Sequence, residues 1–135
     1  MQSFLKNFIE YVIDWNDTIT HTTDINEQRL NLQIDITLSE IQETIDAYVQ
    51  EDAKEVIDGV GDIIVTAGYM PFLNTLSKDY LSEELFDYEL DDLNILDLAV
   101  RIKFHVLTNQ VDLQILYDLL VKAVELYGED YTKEY

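Results

Sequence analysis

The chain has 135 residues, of which 28 are Asp or Glu and only eight Lys or Arg, giving a formal charge of −20. That length bounds it to one domain, residues 1–135, with a single modest core. The charge excludes direct binding to nucleic acid or to an anionic membrane, since both are held through Lys and Arg. The lack of Cys removes disulfides, thiolate metal sites and thiol nucleophiles. With 47% hydrophobic residues, one Pro and four Gly, the composition favours an all-α protein.

The first helix is expected over 3–15, where Phe4, Leu5, Phe8, Ile9, Val12 and Ile13 recur at helical spacing behind Ser3 as N-cap. This start has one Lys, two acids and no small-residue cleavage site, so it does not read as a secretory signal, and no apolar run approaches membrane-spanning length. The expected location is the cytoplasm. A polar stretch from Asn16 to Asn26 reads as a loop, and Asp24 with Glu27 resembles a capping box opening a second helix that runs to Val49. After a turn at Gln50, Glu51 and Asp52, a third helix is expected from Ala53 to Met70, ended by Pro71. These two helices form an antiparallel hairpin. Leu76 to Asp92 is acidic and less regular, with room for one short helix. Two more helices are expected over 93–107 and 110–127, with Asn109 as N-cap of the second and Gly128 as its stop. The fold expected is a four-to-five-helix bundle around the central hairpin.

Within the hairpin, Ile34, Leu38, Ile41, Ile45 and Tyr48 make the core stripe of the second helix, and Leu32, Ile36, Glu40, Glu43 and Ala47 make a second row nearly opposite. On the third helix Val56, Val60, Ile63 and Ala67 form the core stripe. Glu55, Asp58 and Asp62 share the opposite arc with Val65 and Tyr69. A turn centred near Val49 or Gln50 sets Glu43 level with Glu55 and Glu40 level with Asp58. Four carboxylates so placed need cations, and an all-oxygen set suits Mg²⁺ or Mn²⁺. The structural alternative is a solvated acidic face, because acids three residues apart recur elsewhere, as at Glu84 and Asp87. Gly59 and Gly61 each cost about 1 kcal/mol against Ala inside a helix, so they imply close approach by another helix or a ligand, or a kink.

The segment IQETIDAYVQEDAKEVIDGVGDIIVTAGYM resembles the core of the all-α nucleoside triphosphate pyrophosphohydrolases, the superfamily of MazG-like proteins, dimeric dUTPases and phosphoribosyl-ATP pyrophosphohydrolases. The shared hallmark is E-x-x-E on one helix and E-x-x-D on the next, matched by Glu40 with Glu43 and by Glu55 with Asp58; Trp15-Asn16 resembles the family's N-terminal helix. The resemblance covers roughly 28–70. It implies Mg²⁺-dependent cleavage of a nucleoside triphosphate to the monophosphate and pyrophosphate, with Glu40, Glu43, Glu55 and Asp58 as metal ligands and Glu40 or Glu43 as base on the attacking water. The short spacer between Glu43 and Glu55 makes Asp62 a competing ligand.

Lys54, Lys78, Arg101 and Lys103 are the cations best placed to reach a phosphate, although surface counter-charge is the simpler role for each. Tyr69 is either a base-stacking or a packing residue, and Trp15 is expected in the core. His21, in the polar loop, and His105, on an apolar helix, are expected to be structural. Two apolar sides on the hairpin helices point to a homodimer or homotetramer. The rival readings are an acidic, DNA-mimicking protein that captures a basic partner, drawing on the acidic segment from Ser82 to Asp97, and a family member that binds nucleotide or metal without turnover.

Overall fold

The centre of the packing is α3 (Ala53–Gly68), whose sequence AKEVIDGVGDIIVTAG is apolar on more than half its circumference. The expected core stripe of Val56, Val60, Ile63 and Ala67 is fully buried, and Ile57 and Ile64 join it. A helix buried that widely must be covered on several sides. It packs against α2 (Glu27–Val49), α6 (Leu113–Glu134) and α1 (Gln2–Thr20). With α5 (Ile95–Leu107), which touches both α2 and α6, helices α2, α3, α6 and α5 close a four-membered bundle. The computed structural model describes residues 1–20 and 27–134, with 17–20 and 129–134 described by backbone alone, and no strand occurs among them. The protein is all-α, as its composition predicts. His21 and the Asp24 capping box lie outside the described residues.

Several boundaries differ from expectation. The first helix starts at Gln2, so Ser3 is inside it, and the chain stays helical through Asn16 to Thr20. Pro71 does not end helical structure: it sits in the first turn of a short α4 (Met70–Thr75), where its missing N–H has no partner to lose. Together α3 and α4 make 23 residues apolar enough to cross a bilayer by length and composition, contrary to the sequence reading. In their most apolar window 67% of the residues are buried among other helices. A 3-10 turn (Asp79–Ser82) follows in place of a short α-helix.

From Glu83 to Asn94 the chain has no regular helix and is held by side chains of α1 and α6. Gln114 exchanges two hydrogen bonds with the backbone of Phe86, accepting from its N–H and donating to its carbonyl, each at 2.9 Å. The buried Lys122 donates to the Leu90 carbonyl at 3.0 Å, and Lys6 to that of Glu83. Leu81, Leu85 and Leu90 point inward along this strap while its acids stay exposed.

Asn94 caps α5 in a full capping box: its side chain accepts from the Asp97 N–H at 2.8 Å, and Asp97 accepts from the Asn94 N–H at 3.0 Å. Asn94→Ala is therefore expected to destabilise the fold by about 1 kcal/mol in urea titration. Asn109 is not an N-cap. It follows α5 in the left-handed region, φ 53°, and Asp112 caps α6 through the Ile115 N–H at 3.0 Å. The regular helix of α6 breaks at Tyr127 (φ −128°, ψ 25°), at the expected end, and a further helical segment follows through Gly128.

Candidate carboxylate site on the α2–α3 hairpin

Side-chain size sets the register of the hairpin. A Cβ placed on Gly59 would stand 2.1 Å from Thr44 Oγ1 and 3.0 Å from its Cβ, so the two helices touch where α3 has no side chain. This selects helix approach among the readings of Gly59. Thr44 is itself fully buried, its hydroxyl donating to the Glu40 carbonyl at 2.8 Å. Thr37 does the same two turns earlier, donating to the Gln33 carbonyl at 2.7 Å.

The buried arc of α2 is consequently Thr37, Ile41, Thr44 and Ala47, while Ile34, Leu38, Ile45 and Tyr48 are only half-buried. At 100° per residue the arc is rotated about 75° from the expected stripe, toward the acidic row. Glu40 thereby comes to the edge of the core, whereas Glu43, Leu32 and Ile36 remain exposed.

Thr44 meets Gly59 and Glu40 meets Asp62, pairs centred on Glu51 or just beyond it. The expected levels, Glu40 with Asp58 and Glu43 with Glu55, are displaced by about one helical turn. The physical reason is the turn itself. Gln50 and Glu51 form it, Glu51 in the left-handed region at φ 57°, and α3 starts only at Ala53 behind Asp52 as N-cap. Glu55 lies in the first turn of α3, exposed, its N–H donating to Asp52 Oδ1 at 3.3 Å. A carboxylate there is favoured by the helix N-terminus alone.

Glu40 is the unusual member. Its Oε2 is buried and has no hydrogen-bond donor, and the side chain it meets is another carboxylate, Asp62. Burial, then the charges of Asp62 and Glu43, push the Glu40 carboxyl above its ordinary range. Two ionised carboxylates have no donor between them, so only a proton or a cation makes this contact favourable. Asp58 is half-buried on the same arc of α3. Among the described residues no three Asp, Glu, His or Cys side chains already stand close enough to share an ion.

The candidate substrate residues are scattered. Lys54 is exposed on the first turn of α3. Lys78 pairs with Asp14 of α1 as a counter-charge. Arg101 and Lys103 are exposed on α5, and Arg101 acts on Asp118 of α6. Tyr69 is buried between α3 and α4, accepting from Arg29 Nη2 at 2.8 Å and stacking on Phe72. Trp15 is 59% exposed and is not a core residue. His105 is structural, its Nδ1 bonded to the Gln110 carbonyl at 2.8 Å. A cavity of about 530 Å³ lies at the turn end of the hairpin between Tyr48, Val49, Leu96 and Tyr127, and none of the five acids lines it. Residues the sequence reading passed over are Thr44 and Thr66, which donate to the carbonyls of Glu40 and Asp62; a Thr four residues after each acid was the visible signal.

No known protein family, curated protein or solved structure matches the chain.

Proposed function

We propose that the chain is a metal-dependent nucleoside triphosphate pyrophosphohydrolase with a MazG-like hairpin, releasing the nucleoside monophosphate and pyrophosphate. The observation that carries this reading is the donorless Glu40 Oε2 set against Asp62 across the α2–α3 contact. The donor set fits a hard divalent ion, because it is all oxygen, anionic and desolvated on one side. Glu40 and Asp62 would hold Mg²⁺ with Glu43 or Asp58 completing its surroundings, Glu55 lying about two turns away, and Mn²⁺ suits the same oxygens. When bound, such an ion neutralises phosphate charge and makes water more acidic.

The chain's own part is placement. Thr44 and Gly59 fix the height of the Glu40 backbone against α3, and with it the reach of the carboxylate. Glu43, one turn on and exposed, is the carboxylate free to accept a proton from the attacking water. The net charge of −20 repels a bare triphosphate, so substrate entry also depends on cations.

Purified protein incubated with a panel of NTPs and dNTPs is expected to release pyrophosphate only with Mg²⁺ or Mn²⁺. Release is expected to fall at least about 100-fold in Glu43→Gln and Asp58→Asn. No release from any nucleotide with either ion sinks the enzyme reading.

A further inference from the structure

We infer that α5 is the interface of a two-fold symmetric homodimer, two copies packing antiparallel about Val100. In a chain of charge −20, α5 is the only α-helix among the described residues with positive net charge, carrying Arg101 and Lys103 against Asp97 alone. It also leaves large apolar side chains outside: Val100 is 52% exposed, Phe104 63% and Leu107 59%. With half-buried Leu96 these form one stripe, about 80° wide at 100° per residue. An open groove runs beside it, lined by Leu93, Leu96 and Val100 with Asp97 and Arg101 on its rim.

The stripe is complementary to itself. Reversed about Val100, it sets Leu96 against Phe104 of the second copy and Val100 against Val100, while Leu107 reaches past Leu96 toward the start of the mate's helix. Residues on one flank of a helix meet the same flank of its antiparallel mate. Asp97 and Arg101 share a flank and then form two reciprocal ion pairs, about 3 Å apart in height and within reach of an arginine. A parallel pairing fails this test, because it matches opposite flanks and leaves Asp97 about 9 Å in height from Lys103 of the mate. An isologous contact of this kind closes on itself, and it buries a helix whose net charge an acidic copy attracts.

Sedimentation velocity from 1 to 200 µM tests it. The unaltered chain is expected to go from monomer to dimer across that range, and Val100→Lys, which sets two like charges on the axis, to stay monomeric with unchanged circular dichroism. Arg101→Glu is expected to dimerise at least tenfold more weakly, and so is Asp97→Lys, whose loss of the Asn94 capping bond is controlled by circular dichroism and by the mixing experiment. Mixing these two variants restores dimer, since every rim pair is then opposite in sign. A monomeric native chain at 200 µM overturns the proposal. So does a dimer that survives Val100→Lys, or one disrupted instead by Tyr11→Lys on the exposed aromatic face of α1.

Discussion

Gly59→Ala is expected to lower the melting temperature by about 5–10 °C, although Gly→Ala inside a helix ordinarily stabilises by about 1 kcal/mol. The added methyl enters at 2.1 Å from Thr44 Oγ1, a side chain that is fully buried and hydrogen-bonded to the Glu40 carbonyl. It has nowhere to rotate without displacing α2. Overpacking of this kind costs about 1–3 kcal/mol, and the closeness of the contact puts it at the upper end. Gly59→Val, with two branches at the same place, is expected to cost more. Thr44→Ala in the Gly59→Ala background removes the oxygen and leaves only the Cβ approach at 3.0 Å, so it should recover more than half the loss. Differential scanning calorimetry of the two single variants and the double variant gives the coupling energy directly. Additive effects, or a Gly59→Ala variant as stable as the parent, would falsify the register assigned to the hairpin.

That same pair explains why the hairpin was legible in the sequence while its register was not. Core residues on both helices recur every three or four positions, so sliding α3 by one turn against α2 matches apolar to apolar equally well. Only the steric match of Gly59 to Thr44 distinguishes the two alignments, and it involves a residue without a side chain and a polar one. Thr37 and Thr44 belong to neither expected stripe of α2, yet each satisfies its hydroxyl on the carbonyl four residues back and is buried like a valine. Trp15 shows the converse. Phe4, Phe8, Tyr11 and Trp15 repeat with the same period as Leu5, Ile9 and Ile13 beside them, and periodicity alone cannot say which of two adjacent stripes faces inward. The acids were singled out by their place on the two hairpin helices, since their spacing recurs elsewhere in the chain. Which of them meet across the helix contact depended on the register, and the pairing moved from Asp58 to Asp62 with it.

Glu40→Gln is expected to move stability and activity in opposite directions. With Glu40 raised above its ordinary 4.5 in the folded state, chiefly by burial and then by Asp62 and Glu43, the folded protein holds a proton more tightly than the unfolded chain. Stability from this group is therefore greatest on the acid side and is lost as pH rises from about 4.5 through the raised folded value. Replacing the carboxylate by an amide removes that loss and supplies an N–H donor to Asp62. In metal-free buffer near pH 7 the variant should gain about 1 kcal/mol, a modest figure because Asp62 is exposed to solvent. The gain should shrink as pH falls toward 4.5. Mg²⁺ should reverse the order: at a hundredfold excess over its dissociation constant it stabilises the parent by about 2.7 kcal/mol, while the amide, having surrendered an anionic oxygen, responds weakly. Pyrophosphate release should drop about 100-fold in the same variant. Thermal melts at several pH values, with EDTA and with Mg²⁺, separate these terms. A Glu40→Gln variant less stable than the parent in EDTA throughout pH 5–8 would show that the Glu40–Asp62 contact is not repulsive. The case for a cation between them would then fall, whatever the assay with nucleotides gives.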